Sequence, residues 1–164
     1  RPGLGSAAKG ITMSDEMTGV TSAGTPCHAH LLNTLARADD GQLKGFAEGV
    51  LPLLGEIEVV QSRTGLVMLP LRDTVAGTDF HLGEVLVAEA HIRVKDTDIE
   101  GYGMVIGRDL ERAMAMAVID AAAMAEMDKQ RLAHFVAAQA TRIRAADEQR
   151  LRAVEATRVE METF

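Results

Sequence analysis

The chain has 164 residues, a length that fits one domain with a real hydrophobic core. Its formal net charge is −7, and no run of Lys or Arg supplies the basic face that a nucleic acid or an anionic membrane surface requires. The single cysteine excludes an intramolecular disulfide, a four-cysteine zinc site and a protein-ligated iron–sulfur cluster, so we expect a reducing, cytoplasmic setting.

Residues 1–26 are rich in Gly, Ser, Thr and Ala and lack a hydrophobic period, so we expect a flexible N-terminal arm. We predict that residues 27–164 form a single α+β domain. Helical spacing of apolar residues begins near His30 and predicts a first helix. A second apolar stripe runs to Leu54, and Pro52 is expected to end or kink that helix. No apolar stretch is long enough to span a bilayer.

The spacing then changes to period two, which is typical of strands. The predicted strands are residues 57–61, 66–71, 80–94 and 99–106. Their connections are too short for helical crossovers, so we expect antiparallel pairing. The predicted fold class is therefore α+β: a four-stranded antiparallel meander packed against N-terminal helices and long C-terminal helices.

A long helix rich in Ala and Met is predicted to follow Asp109, whose carboxylate fits the role of an N-cap. No Gly or Pro interrupts residues 108–164. One break near Asp128 would give two packed helices, whereas an unbroken helix would project from the domain. The spacing leaves both arrangements open.

Three glycines, Gly101, Gly103 and Gly107, bring dinucleotide-binding loops to mind. Because the first two lie inside a predicted strand, we interpret them as a bulge or a close backbone contact. The better phosphate candidate is Gly107, Arg108 and Asp109, where a helix start offers free N–H groups and Arg108 offers a bidentate contact. Asp109 already uses that positive potential, which favours a cap with a salt-bridging arginine.

The pair His28 and His30 beside Cys27 resembles the start of a metal site. No second ligand pair follows at metal-site spacing, so we predict no metal site. The sequence also has no GxSxG elbow, HExxH motif or P-loop. We predict no catalytic residue and no cofactor held by this chain.

Five short segments point to a known family. They are residues 64–67, 83–84, 103–109 (Gly-Met-Val-Ile-Gly-Arg-Asp), 117–121 and 156–160. In order and spacing they resemble the PhnG family of the bacterial carbon–phosphorus lyase system. Two departures concern residues 112–114, which are Arg-Ala-Met where the family has His-Ala-Glu, and residues 31–32, which are Leu-Leu where the family has Trp-Met. A role for that His or Glu is therefore not carried over.

The resemblance implies an accessory subunit that assembles with PhnH-, PhnI- and PhnJ-like subunits, as a homodimer or hetero-oligomer. In that system a phosphonate oxygen displaces adenine from C1′ of ATP and gives ribose 1-methylphosphonate 5-triphosphate. The complex would use ATP, and this chain would hold no cofactor. Because small side chains allow close approach, we interpret the Ala/Met face of the long helix and the C-terminal helix as the partner interface. The candidate residues are Met114, Ala117, Ala121 and Arg158.

Two other functions remain open. The first is a phosphate-binding enzyme subunit that uses Arg108 at the helix start, which binding of ATP or methylphosphonate by the isolated protein would favour. The second is a homo-oligomeric protein of unrelated role that shares only the fold, which the absence of phosphonate genes nearby would favour.

Overall fold

The computed structural model describes residues 27–158, and the predicted N-terminal arm lies outside them. The described chain is α+β, with four helices and three strands. In chain order the elements are α1 (His28–Arg37), α2 (Asp40–Leu54), β1 (Ile57–Arg72), β2 (Asp79–Val94), β3 (Glu100–Ile106), α3 (Leu110–Met124) and α4 (Lys129–Ala156). The strands form one antiparallel sheet in the order β1-β2-β3.

The predicted four-stranded meander is wrong, because its first two strands are a single strand. β1 continues through Ser62 and Gly65, which pair with Ala90 and Val87 of β2. A tight hairpin turn needs a positive φ, and none occurs in the described chain between Gly55 and Gly77. The polar run at residues 62–65 is therefore extended backbone, and the sheet has three strands.

The β1–β2 hairpin closes at a turn over residues 73–78. The Asp73 carboxylate accepts hydrogen bonds from the N–H groups of Val75 (3.1 Å) and Ala76 (2.7 Å). These two bonds hold the pKa of Asp73 below its usual value. Gly77 has a φ of +67°, a left-handed conformation that favours glycine. Short polar residues and one glycine thus satisfy the turn locally.

Helix α3 packs on the inner face of β2 and β3. Ala88, Ala90 and Ile92 of β2 are fully buried beneath it. A Cβ built on Gly101 or Gly103 of β3 would lie less than 3.0 Å from the backbone of α3. Only glycine permits this approach. Of the two interpretations, a bulge or a close backbone contact, the structure shows the contact.

The chain breaks near Asp128, which has a φ of 43°, and forms two helices rather than one. The Phe135 ring of α4 stacks on Phe46 of α2 with centroids 4.4 Å apart. Farther along α4, Leu151 is 67% exposed, so its C-terminal half leaves the core. No helix in the described part of the chain is both long and apolar enough to cross a membrane. Pro52 lies inside α2, which ends two residues later.

Candidate functional site

The start of α3 holds the predicted phosphate candidates. Gly107 turns the chain with a φ of +110°, and the exposed Arg108 follows it. The Asp109 carboxylate accepts a hydrogen bond from the Arg112 N–H at 2.9 Å, so the predicted N-cap is confirmed. That bond, together with the nearby Lys44 ammonium, lowers the pKa of Asp109. The carboxylate is therefore ionised and occupies the positive end of the helix.

The side chain of Lys44 of α2 also reaches the start of α3. Its ammonium lies 3.3 Å from Asp109, 3.3 Å from Glu111 and 3.2 Å from Asp40. Three carboxylates thus surround one cation. None of the ion pairs among residues 27–158 includes Arg108. A phosphate at this helix start would have to compete with Asp109 for the N–H groups and would meet Asp40 and Glu111.

Arg112 has a role that sequence reasoning missed. Its Nη2 donates to the carbonyl oxygens of Ala36 and Ala38, both at 2.9 Å, and so ties the end of α1 to α3. These carbonyls would otherwise be left unpaired at the end of a helix. Neither periodicity nor a motif signals this contact, because the acceptors lie more than 70 residues earlier in the chain.

Asp120, also missed, is a carboxylate buried in the middle of α3. Its Oδ1 lies 2.7 Å from His28 Nε2, and its Oδ2 accepts from the Tyr102 N–H at 3.0 Å. The sequence does contain one sign of this role: Asp120 is an acidic residue within an otherwise apolar Ala/Met segment of the helix. His28 is thus part of a structural contact, and no metal-holding group of three or more His, Cys, Asp or Glu occurs in the described range.

The predicted partner residues do not form one surface. Ala117 and Ala121 are fully buried against β3 of the same chain. Met114 is half-buried and lines a groove of about 540 Å³ between α2, α3 and β1. Arg158 lies beyond α4, exposed, with Nη1 3.2 Å from Glu155. Of the three candidate residues on α3, Met114 is the one whose side chain is accessible to a partner.

The groove beside Met114 is apolar inside and charged at its rim. Leu51, Leu110 and Val118 contribute apolar walls, while Lys44 and Glu48 stand among the polar lining residues. Leu51 is 39% exposed and Leu110 is 37% exposed. Such a surface fits an apolar side chain from another polypeptide better than a phosphate.

A polar network covers the outer face of the sheet. Glu89 accepts from Arg63 Nε and from the Tyr102 hydroxyl, both at 2.9 Å, and His91 Nε2 lies 3.0 Å from Glu100. The Arg63 hydrogen bond and then the Tyr102 bond lower the pKa of Glu89. Burial, followed by the bond to Glu89, raises the pKa of Tyr102 to about 12. These groups are committed to one another, as in a structural network.

The family model for the phosphonate metabolism protein PhnG matches residues 28–164, which include every described helix and strand. The chain belongs to the PhnG family. The resemblance drawn from the five short segments is therefore confirmed, and with it the assignment to phosphonate metabolism.

Two named relatives agree with the PhnG assignment. The chain is 32% identical over 110 residues to the alpha-D-ribose 1-methylphosphonate 5-triphosphate synthase subunit PhnG of Rhizobium meliloti (strain 1021), covering 66% of this chain and 69% of the relative. It is 30% identical over 102 residues to HtxH of Stutzerimonas stutzeri, which is named as a C-P lyase subunit. That match covers 56% of this chain and 27% of HtxH, so the chain spans about a quarter of HtxH.

Proposed function

We propose that this chain is the accessory PhnG-type subunit of a carbon–phosphorus lyase core complex. In that complex it supports transfer of the ribose triphosphate of ATP to an alkylphosphonate. The C1′–N bond to adenine breaks, a C1′–O bond to the phosphonate forms, and adenine leaves. The product is ribose 1-methylphosphonate 5-triphosphate, and the assembly partners are PhnH-, PhnI- and PhnJ-like subunits.

The match of the PhnG family model along residues 28–164 carries this proposal. The name of the Rhizobium relative supports it, since that protein is a subunit of the corresponding synthase. The geometry supports an accessory role, because carboxylates in and near the candidate site are engaged in structural bonds. Asp109 caps α3, Asp120 holds the Tyr102 N–H, and Glu89 holds Arg63.

The groove beside Met114 is the contact surface that we assign to the PhnI-like subunit. It lies between α2, α3 and β1, and its apolar walls are partly exposed in the isolated chain. Burying such walls against a partner is favourable, because apolar surface leaves water. Arg158 is exposed beyond the end of α4, and we assign this segment as a second contact region.

Adenine release from ATP and methylphosphonate tests the proposal directly. We expect release by the PhnH-, PhnI- and PhnJ-like subunits co-expressed with this chain, and little release when this chain is omitted. The isolated chain should release none. Adenine release by the purified chain alone would place the chemistry here and overturn the accessory role.

The alternative, phosphate binding at Arg108, makes a different prediction. If the chain is only an accessory subunit, isothermal titration of the isolated chain with ATP or with methylphosphonate should give no heat of binding. Binding that the Arg108→Ala variant loses would favour the alternative, because an exposed arginine beside a helix start can make a bidentate contact to a phosphate.

A further inference from the structure

The outer part of the β1–β2 hairpin stands apart from the core. We call the paired residues 66–71 and 80–86 the shaft, and residues 72–79 the tip. Every residue from Leu66 to Glu84 except Asp73 is exposed. The third strand ends at Ile106, opposite Val87, so the shaft has only two strands. A two-stranded ribbon in water is marginally stable unless something packs against it.

Both faces of the shaft are apolar. Met68 is 59% exposed on the face that continues the inner side of the sheet, and Leu69 is 41% exposed on the opposite face. The other exposed apolar side chains are Leu66, Val67, Leu71, Phe80 and Leu82. Seven large apolar side chains exposed together on one ribbon are more than the single scattered apolar residues of an ordinary protein surface, and such a patch is typical of an interaction site.

Charge separates the shaft from the tip. The shaft contains no Lys or Arg, and Glu84 is its single carboxylate. The polar groups of the tip form hydrogen bonds with one another. Arg72 Nε donates to the Gly77 carbonyl oxygen at 3.1 Å, and the Asp73 carboxylate accepts from two backbone N–H groups. A ribbon with an apolar shaft and a polar tip fits a cleft that encloses the shaft and leaves the tip in water.

A different polypeptide suits this ribbon better than a second copy of the chain. Pairing two copies along the free edge of β1 would cover that edge and leave both apolar faces in water. Each copy also carries a formal net charge of −7, which opposes association of two copies. In HtxH the matching stretch accounts for only 27% of the protein, so there it is joined to much additional polypeptide.

We infer that another subunit of the complex clasps the shaft on both faces, in an apolar cleft that leaves the tip exposed. This inference rests on the proposed function for the identity of the partner. It assigns a surface distinct from the groove beside Met114, because the shaft extends beyond the part of the sheet that the third strand pairs with.

Affinity capture of the full chain co-expressed with the PhnH-, PhnI- and PhnJ-like subunits tests the inference. Met68→Asp and Leu69→Asp each place a carboxylate on one face of the shaft. Each should weaken association on the order of 30-fold or more, because the charge would be buried without a partner. The matched control is Val75→Asp at the tip, where the side chain is 93% exposed and association should not change. Thermal unfolding of the isolated variants should match that of the parent chain.

Hydrogen exchange supplies the second measurement. Amides of the shaft should exchange quickly in the isolated chain and slowly in the complex. Protection that grows with the concentration of the isolated chain would show a second copy as the occupant. If the shaft amides are protected in dilute isolated protein, and deletion of residues 1–26 removes that protection, the N-terminal segment of the same chain covers the shaft. Either result overturns the inference, as does normal association of both shaft variants.

The inference and the proposed function can fail separately. A complex that releases adenine and assembles normally with both shaft variants refutes the clasp and keeps the function. If the shaft variants weaken assembly but the parent complex releases no adenine, the proposed function is refuted and the inferred contact at the shaft stands. Failure of the parent chain to associate with any of the three subunits refutes both.

Discussion

The backbone of Gly103 lies directly against the carbonyl group of Ala113. A Cβ on Gly103 would fall less than 3.0 Å from that carbonyl oxygen and 2.8 Å from the Ala117 nitrogen. Gly101 meets Ala117 and Ala121 in the same way, one turn farther along α3. Two glycines on a strand and three alanines on a helix therefore set the distance between the sheet and its main helix.

Substitution of Gly103 tests this contact. Gly103→Ala should lower the free energy of unfolding by about 3 kcal/mol, because the obstructing atoms are backbone and cannot turn away. Gly65→Ala is the matched control: Gly65 also lies in a strand, but no atom lies within 4 Å of its Cβ position. That control should stay within about 0.5 kcal/mol of the parent chain. Equal stability of the two variants in denaturant titration would refute the close contact.

Removal of the Asp120 carboxylate should destabilise the fold. Asp120→Ala leaves the Tyr102 N–H without its acceptor, at a cost of about 2 kcal/mol. His28→Ala should cost about 0.5 kcal/mol or less, because the His28 side chain is 54% exposed and water can replace it. Urea unfolding measures both. A larger loss for His28→Ala than for Asp120→Ala would contradict the assigned roles.

Tyr102 is the only tyrosine, so alkaline titration of phenolate absorbance reports on it alone. The midpoint should lie near a pKa of about 12, whereas the denatured chain should titrate near 10. Glu89→Gln should lower the midpoint but leave it above 10, because burial is the larger cause. A native midpoint near 10 would contradict the burial of the hydroxyl.

The same shift links stability to pH. The folded chain binds the phenolic proton more tightly than the unfolded chain does, so this group stabilises the fold fully below about pH 10. The contribution is lost as pH rises toward about 12. Unfolding free energies of the parent chain should therefore fall more steeply over this range than those of Tyr102→Phe.

Two substitutions on α3 separate fold from partner binding. Met114→Asp should leave the isolated chain folded, because Met114 borders the open groove, and should weaken capture of the PhnI-like subunit. Ala117→Glu should instead destabilise the chain by more than about 4 kcal/mol, because Ala117 is fully buried and a carboxylate there has no partner. Thermal unfolding followed by affinity capture distinguishes them. A stable Ala117→Glu protein would show that α3 does not pack as described.

Local patterns predicted much of the secondary structure. The Asp109 cap depends on residues three apart in the chain and is confirmed. The spacing left open whether the chain breaks near Asp128, and the structure shows the break. The strand count was wrong because Ser62 to Gly65 have weak strand character of their own. Their extended conformation comes from pairing with β2, more than 20 residues away.

The candidate site shows the same division. The Ala/Met composition of α3 predicts close packing, but it does not say against what, and the structure turns Ala117 and Ala121 toward β3. The bonds that Arg112 and Asp120 make join elements far apart in sequence. No spacing rule could have predicted them, because their partners become neighbours only when α1, β3 and α3 pack together.

The sequence by itself determined the family, the cap at Asp109 and the period-two spacing of the strands. Each is set by residue type and short-range spacing, since caps, glycines and periodic side chains act within a few residues. Only the tertiary structure decided which apolar residues stay in water. Met68 and Leu69 look like ordinary strand residues, and they are exposed because the third strand and the helices stop short of them.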